Sequence, residues 1–123
     1  MAKSANPGEM RTAVYFKQIE RVTDADGFPV EQEINIFGQD ADGKDITVRG
    51  KWVNAHGAAL IAAMQLQLRE PVTFTTRYSP LYHRRLLVYK AGDPLPYEII
   101  GLDNVEDRGR WVEMKLQRKE AAR

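Results

Sequence analysis

The sequence lacks several residue types on which common protein chemistries depend. Its 123 residues include no cysteine, two serines and two histidines. Without cysteine there is no disulfide scaffold, no thiolate zinc site and no cysteine nucleophile. Ser4 and Ser79 lie outside any Gly-x-Ser-x-Gly turn, and the glycines are scattered singly rather than grouped in a phosphate-binding loop. We therefore predict that the protein is not an enzyme and has no cofactor or metal.

Neither sign of charge dominates, and no long apolar run is present. Lysine and arginine number 18 against 17 aspartates and glutamates, so the formal charge is +1 and no overall basic field favours sequence-independent binding to phosphates. The longest apolar-leaning stretch, residues 55–64, includes His56 and is far shorter than the ~20 residues of a membrane span. The polar first residues also lack the apolar stretch of a signal peptide. We predict a single globular domain that does not enter a membrane.

What the chain does contain is a succession of short stretches with β-like patterning. Apolar and polar residues alternate in most of them, as in strands with one buried face, and turn residues such as Asp, Gly and Pro separate them. The predicted strands are residues 12–22, 30–37, 46–55, 72–78, 84–90, 97–102 and 110–117. Seven strands joined mostly by short turns indicate a small antiparallel β-barrel or β-sandwich.

One helix interrupts this pattern. Residues 57–68 are rich in Ala, Leu, Met and Gln, and Leu60, Ile61, Met64 and Leu68 fall on one helical stripe. Pro71 ends the segment, so we predict a helix of about three turns over one end of the sheet. The domain would span residues 12–117, between a flexible N-terminal arm of residues 1–11 and a frayed C-terminus of residues 118–123.

Two Asp-x-Asp-Gly clusters, at residues 24–27 and 40–43, invite comparison with calcium-binding loops. When Gly27 or Gly43 is aligned with the invariant loop glycine, the first ligand position falls on Val22 or Gly38, which offer no side-chain oxygen. Both clusters are therefore interpreted as turns. The second belongs to an exposed loop that is longer than a hairpin needs and includes Gly38, Gln39, Asp40, Asp42, Lys44 and Asp45.

Basic and aromatic residues gather around a second bend of the chain. They form a candidate DNA-facing or interface surface, made of Arg77, Tyr82, His83, Arg84 and Arg85. Such side chains can contact phosphates and stack on bases, but the same pattern also fits a polar outer face that flanks buried residues. His56 and His83 lack the spacing of a paired metal site, and their neighbours do not suggest one.

The order of these segments resembles the head-tail joining proteins of tailed bacteriophages, also called head closure or stopper proteins. The similar segments are NPGEMR at residues 6–11, DGFPVE at 26–31, KWV at 51–53, FTTRY at 74–78 and PYEIIG at 96–101. Together they extend over residues 6–118, nearly the whole chain, and the evidence lies in their order and spacing. Relative to this family the loop of residues 38–45 is enlarged, which makes it a candidate channel or partner loop of such a protein.

The resemblance implies a structural virion protein without catalytic residues. It would form a homo-oligomeric ring, with a dodecamer as one candidate stoichiometry, below the portal or adaptor protein and above a tail protein. The ring would close the head after DNA packaging and join head to tail, with packaged DNA in its channel and no sequence-specific contact. Assembly would take place in the host cytoplasm and end in the phage neck. The N-terminal arm and the helix are candidates for the contacts between neighbouring protomers.

Two alternatives remain open from the sequence. A tail-completion protein, similar to tail terminators, is also a small β-rich ring former. A small barrel that binds nucleic acid would use the segment from Arg77 to Arg85, and it predicts salt-dependent binding to DNA at micromolar concentration.

Overall fold

The computed structural model describes residues 10–105 and 109–119, which form seven strands and one short helix. In chain order these elements are β1 (Thr12–Thr23), β2 (Pro29–Asn35), β3 (Val48–Asn54), α1 (Gly57–Gln65), β4 (Val72–Arg77), β5 (Leu87–Lys90), β6 (Tyr97–Asn104) and β7 (Trp111–Arg118). In the described part of the chain, no helix is long and apolar enough to cross a membrane.

Six of the strands close into an antiparallel barrel in the order β1-β3-β4-β7-β6-β5, and β5 pairs back onto β1. The N-terminal part of β1 closes the barrel, because Val14 is the register partner of Val48 on one side and of Lys90 on the other. The C-terminal part of β1 continues past the barrel and pairs with β2 from Lys17 to Thr23. The predicted mainly-β fold is confirmed, and the structure resolves the choice between barrel and sandwich in favour of a closed barrel.

The barrel interior holds one continuous apolar core. Alternate residues of the strands point inward, as the period-two pattern predicts. Its buried members are Val14, Phe16, Val72, Phe74, Tyr82, Leu86, Val88, Tyr97, Ile99, Val112, Met114 and Leu116. Trp52 packs against this core, with its ring in edge-to-face contact with Phe74 and Tyr97 at centroid distances of 6.0 and 5.0 Å, a favoured aromatic geometry.

Gly50 is the position at which the barrel wall comes closest to the core. A Cβ built there would lie 2.5 Å from Cε1 of Phe74 and 2.6 Å from the carbonyl oxygen of Thr75. Only hydrogen fits in that space, so glycine is required for the close approach of β3 to β4 and to the Phe74 ring.

The helix differs from its prediction in length and in packing. It ends at Gln65 rather than at residue 68, since Gln67 and Glu70 have left-handed φ values of 58° and 43°. Its apolar stripe is exposed, with Ile61 at 60% and Met64 at 66% exposure. The reason is topological: Asn54 and Val72 are register partners, so residues 55–71 form one connection outside a barrel that is already closed.

Two boundary predictions also need correction. Strand β5 begins at Leu87 and not at residue 84, because residues 84–86 lie in the preceding loop, with Leu86 N donating to the His83 carbonyl at 3.3 Å. Strand β7 includes Arg118, which was assigned to a frayed end. Residues 1–9 of the predicted arm and residues 120–123 of the predicted C-terminal tail lie outside the described residues.

Arg118 is held by contacts from three directions. Its guanidinium donates to Glu70 and Asp93, each at 2.9 Å, and to the Leu95 carbonyl at 2.8 Å. It also lies 4.1 Å from the centre of the Tyr97 ring, a cation–π distance. We call this set of contacts the Arg118 clasp; it ties the end of β7 to the β5–β6 turn and to the segment before β4.

Candidate partner-binding surfaces

The antiparallel registers place the loops at two opposite ends of the barrel. We call one the hairpin end, because β1 and β2 project from it; it also carries the loop of residues 78–86 between β4 and β5. The other is the helix end, where α1 and the β5–β6 turn of residues 91–96 lie. The predicted basic surface lies at the hairpin end, and the acidic loop of residues 38–45 lies beside β2.

The acidic loop is a small hairpin whose conformation is set by one carboxylate. Asp40 Oδ1 accepts hydrogen bonds from the backbone N–H groups of Asp42 and Lys44 at 2.9 and 3.0 Å, and Gln39 and Asp45 form a β-bridge. Gly43 has a φ of 78°, which favours glycine. Residues 38–44 are exposed, so the prediction of an exposed loop is confirmed.

The base of this loop is anchored to the barrel. Asn35 is buried, and its side-chain amide donates to Asp45 Oδ1 at 3.3 Å and to the Ile46 carbonyl at 3.2 Å. Lys17 approaches Asp45 at 3.9 Å. The anchoring fixes where the loop leaves the fold while its tip, with Asp40 and Asp42, faces solvent.

The first Asp-x-Asp-Gly cluster builds the same kind of turn. Asp24 Oδ1 accepts from the N–H groups of Asp26 and Phe28 at 2.9 and 2.8 Å, and Gly27 has a φ of 82°. In both clusters the leading carboxylate is therefore used by the backbone, as in an Asx turn. The interpretation of the two motifs as turns is confirmed.

The predicted basic surface is only partly brought together. His83, Arg84 and Arg85 line an open groove of about 770 Å³ whose other wall is Gln18 and Ile19 of β1. His83 Nε2 lies 3.0 Å from Gln18 Oε1 and its Nδ1 accepts from the Arg85 N–H at 3.2 Å, so the proton of the neutral ring is placed on Nε2. We call this feature the basic groove.

Arg77 and Tyr82 do not line the basic groove. The Arg77 guanidinium lies 5.3 Å from the centre of the Trp111 ring, in a cation–π contact on the outside of the barrel. Tyr82 is 9% exposed and packs on Phe16 and Phe37 at centroid distances of 4.9 and 5.9 Å. Burial raises its pKa to about 12. In this position Tyr82 is a core residue and does not present its ring to a base.

Sequence reasoning missed the two free edges of the β1–β2 hairpin. Within residues 10–105 and 109–119, β2 pairs with β1 alone, and β1 has no partner beyond Lys17 on its β5 side. Along the hairpin, Phe28, Val30 and Ile34 are exposed although the period-two pattern correctly placed Val30 and Ile34 on one face. The sequence feature that could have indicated these free edges is the excess of polar residues in β2, where Glu31, Gln32 and Glu33 are consecutive.

The remaining candidate residues from the sequence are the histidines, considered as metal ligands. No group of three or more metal-ligating side chains occurs among the described residues. His56 Nδ1 lies 3.2 Å from the Asn54 carbonyl, next to the start of the helix. The fold and its surfaces thus define a small closed β-barrel module with an acidic loop, a projecting hairpin and a basic groove.

Comparison with known proteins identifies the family to which this module belongs. The family described as "Phage head completion protein" matches residues 5–119, so the chain is a member of that family. The predicted resemblance to phage head closure proteins is confirmed. The family is a structural one, and membership makes the chain a virion-associated protein of the phage head and neck that interacts with other head or tail proteins.

A solved structure supports the fold independently. The solution structure of protein SF1141 from Shigella flexneri 2a is similar to this chain with a TM-score of 0.65 and 14% sequence identity. The similarity covers 96% of this chain and 100% of that one. No curated protein matches.

Proposed function

We propose that this protein forms a ring in the phage neck, below the portal or adaptor protein, that closes the head after DNA packaging and receives the tail. Membership of the head completion family is the observation that carries this proposal. The fold supports it in kind: a closed barrel gives a rigid body, and the loops at its two ends give separate surfaces for a partner above and a partner below. The role is structural rather than catalytic, and assembly takes place in the host cytoplasm.

The acidic loop is proposed as the part that projects into the channel or toward a partner. Asp40 and Asp42 are exposed at its tip and would repel the phosphates of packaged DNA rather than bind them. The anchoring of its base through Asn35 and Asp45 would transmit a force on the tip to the barrel wall. A loop that opposes DNA without binding it suits closure, because the channel must release the DNA when infection begins.

Electron microscopy of particles that lack this protein tests the role. Closure predicts heads that have lost their DNA beside separate, complete tails. Full, sealed heads beside defective tails would instead favour a tail-completion role, the second candidate within the same particle. Normal tailed particles would overturn both roles.

A nucleic-acid-binding module is the remaining alternative. The basic groove supports it to a limited degree, because Arg84 and Arg85 are exposed, but the buried Tyr82 does not supply a stacking platform. Binding of the isolated protein to single- and double-stranded DNA, measured as a function of salt, decides the matter. Head closure predicts weak binding or none by the free protomer, whereas a binding module predicts a steep loss of affinity with salt.

A further inference from the structure

Charge is distributed unevenly around the hairpin end, with the two signs on opposite sides. Residues 29–45 hold five acidic side chains and one basic side chain, a net charge of −4, whereas the loop of residues 78–86 holds two basic side chains, Arg84 and Arg85, and no acidic one. The acidic side consists of β2 and the loop that follows it; the basic side carries the basic groove. The β1 strand lies between them.

In the described part of the chain, each side also presents a strand edge without a partner strand. On the acidic side it is the outer edge of β2, and on the basic side it is β1 beyond Lys17, which forms a wall of the basic groove. Unpaired edges are templates for strand addition, and a two-stranded ribbon alone is only marginally stable in water. The hairpin thus has an acidic edge on β2 and a second edge, on β1, that lies beside the basic side chains of the groove.

We propose that the occupant of the basic groove is a second copy of this chain, which inserts the acidic outer edge of its β2 beside β1 of its neighbour. This inference rests on the proposed ring and names its lateral contact. Since β2 runs antiparallel to β1 within one protomer, copies related by rotation would alternate β1 and β2 in antiparallel order around the ring. Two different patches of the same molecule make such a contact heterologous, as closed rings require.

The side chains on the two edges suit one another. The Arg85 side chain makes no hydrogen bond or ion pair with another residue in the described ranges, and the Glu31 carboxylate likewise has none. Glu33, by contrast, is already bound by Tyr89 at 2.8 Å. Arg85 and Glu31 are therefore available to each other across a contact between copies, whereas Glu33 is held within its own protomer.

This contact replaces the helix as the predicted patch between neighbours. The helix lies at the opposite end of the barrel and has no charged residue between Lys51 and Arg69, so it does not complement the basic groove. Repulsion between the like-charged sides of free protomers would also oppose wrong orientations of approach.

Charge reversal in the phage tests the proposal. Arg85→Glu places two acidic residues in apposition and Glu31→Lys places two basic ones, so we expect each change to lower the yield of tailed particles by about tenfold or more. The double variant Arg85→Glu/Glu31→Lys restores an opposite-charge pair at every contact and should recover most of the yield. Arg110→Glu, at an exposed position just before β7 and outside both strand edges, is the matched control for a change of charge alone.

Cysteine cross-linking gives a second readout, because the chain has no cysteine of its own. The double variant Arg85→Cys/Glu31→Cys, oxidised in intact particles, should give a ladder of covalent multimers, whereas either single variant should not. Single-variant dimers without a ladder would indicate a symmetric contact and overturn the proposal. A second result would also overturn it. If the charge-reversed double variant does not recover the yield of tailed particles, and Arg85→Glu alone reduces photo-cross-linking of the protein to packaged DNA, the groove faces DNA.

The outcome for this contact is separable from that for the proposed function. If the protein is found in the neck and its loss empties the heads, but no ladder forms, the contact is wrong and the function stands. If particles without the protein are normal, the function itself fails.

Discussion

The hydroxyl group of Tyr89 on β5 donates a hydrogen bond to the Glu33 carboxylate on β2, and its oxygen lies 2.8 Å from Oε1 and 3.0 Å from Oε2. The two strands are not neighbours, since β1 lies between them. The bond therefore crosses the outer face of β1 and ties the projecting hairpin to the barrel. Tyr15 stacks on Tyr89 with 5.0 Å between ring centres, and Lys17 lies over both rings. Burial first, and then the Glu33 bond, raise the pKa of Tyr89.

Removing this hydroxyl should loosen the hairpin more than the barrel. We expect Tyr89→Phe to lower the free energy of unfolding by about 1 kcal/mol, the usual value for one hydrogen bond, and to speed amide exchange in residues 18–34. Tyr15→Phe, which keeps the stacked rings and removes a hydroxyl that bonds no described residue, is the control. Equal exchange rates in the two variants would show that the bond does not hold the hairpin.

The packing at Gly50 predicts a localised steric effect. Gly50→Ala should lower the free energy of unfolding by roughly 3 kcal/mol, because the new methyl group overlaps the Phe74 ring and the Thr75 carbonyl. Gly101→Ala is the matched control: its Cβ would lie 3.5 Å from Lys115 Cβ, an ordinary contact. Denaturant unfolding of both variants makes the measurement, and similar losses at the two positions would contradict the argument.

The Arg118 clasp makes the free energy of unfolding depend on pH in the acid range. The Leu95 N–H and Arg118 lower the pKa of Asp93, and the hydrogen bond from Arg118 lowers that of Glu70. A carboxyl group with a lowered pKa stabilises the fold above its unfolded-state pKa of about 4, and that stabilisation is lost as pH falls through the folded-state value. The free energy of unfolding should thus decrease below pH about 4.

Arg118→Gln should reduce this acid dependence. We expect its unfolding free energy to be lower than that of the parent protein at neutral pH, by about 2 kcal/mol, and the difference to shrink toward pH 2. Arg21→Gln makes the same change in net charge on an exposed strand position and should leave the acid profile unchanged. If the difference in unfolding free energy between the two proteins stays constant across the pH range, the loss of stability comes from packing alone.

Because the helix is exposed, changes on its apolar face should affect assembly without affecting stability. Replacing Ile61 and Met64 by Gln should change the free energy of unfolding by no more than about 0.5 kcal/mol, because both side chains are already in water. Phe74→Leu, in the core, is the contrast and should cost more than 1 kcal/mol. If the helix end meets a neck partner, the helix variant should fold normally and yield fewer tailed particles; a large loss of stability would contradict its exposure.

Deletion of residues 39–44 tests the proposed role of the acidic loop. Gly38 and Ile46 are already joined by a hydrogen bond of 3.2 Å, so the shortened chain can close without disturbing the barrel. We expect an unchanged fold and impaired closure or tail attachment. Asp42→Asn, which removes charge and keeps the loop, separates the contribution of charge from that of length. Infectious particles in normal number would contradict the role of the loop.

The sequence by itself determined the class of fold, the family and the turns. Alternating apolar residues fix which side chains enter a core, and the Asp-x-Asp-Gly clusters fix two Asx turns through bonds within four residues of one another. Such local information is present in any stretch of the chain. It was enough to predict the seven strands and the exposed position of the loop.

Only the tertiary structure decided which predicted residues share a surface. Tyr82 is two residues from Arg84, yet the barrel takes its ring inside while Arg84 faces the basic groove, and Gln18 reaches that groove from 65 positions away. Likewise the helical stripe at Ile61 and Met64 has the pattern of a buried face, but the closed barrel leaves it no core to enter. Periodicity reports that residues lie on one side of an element; what covers that side depends on contacts between residues far apart in the chain.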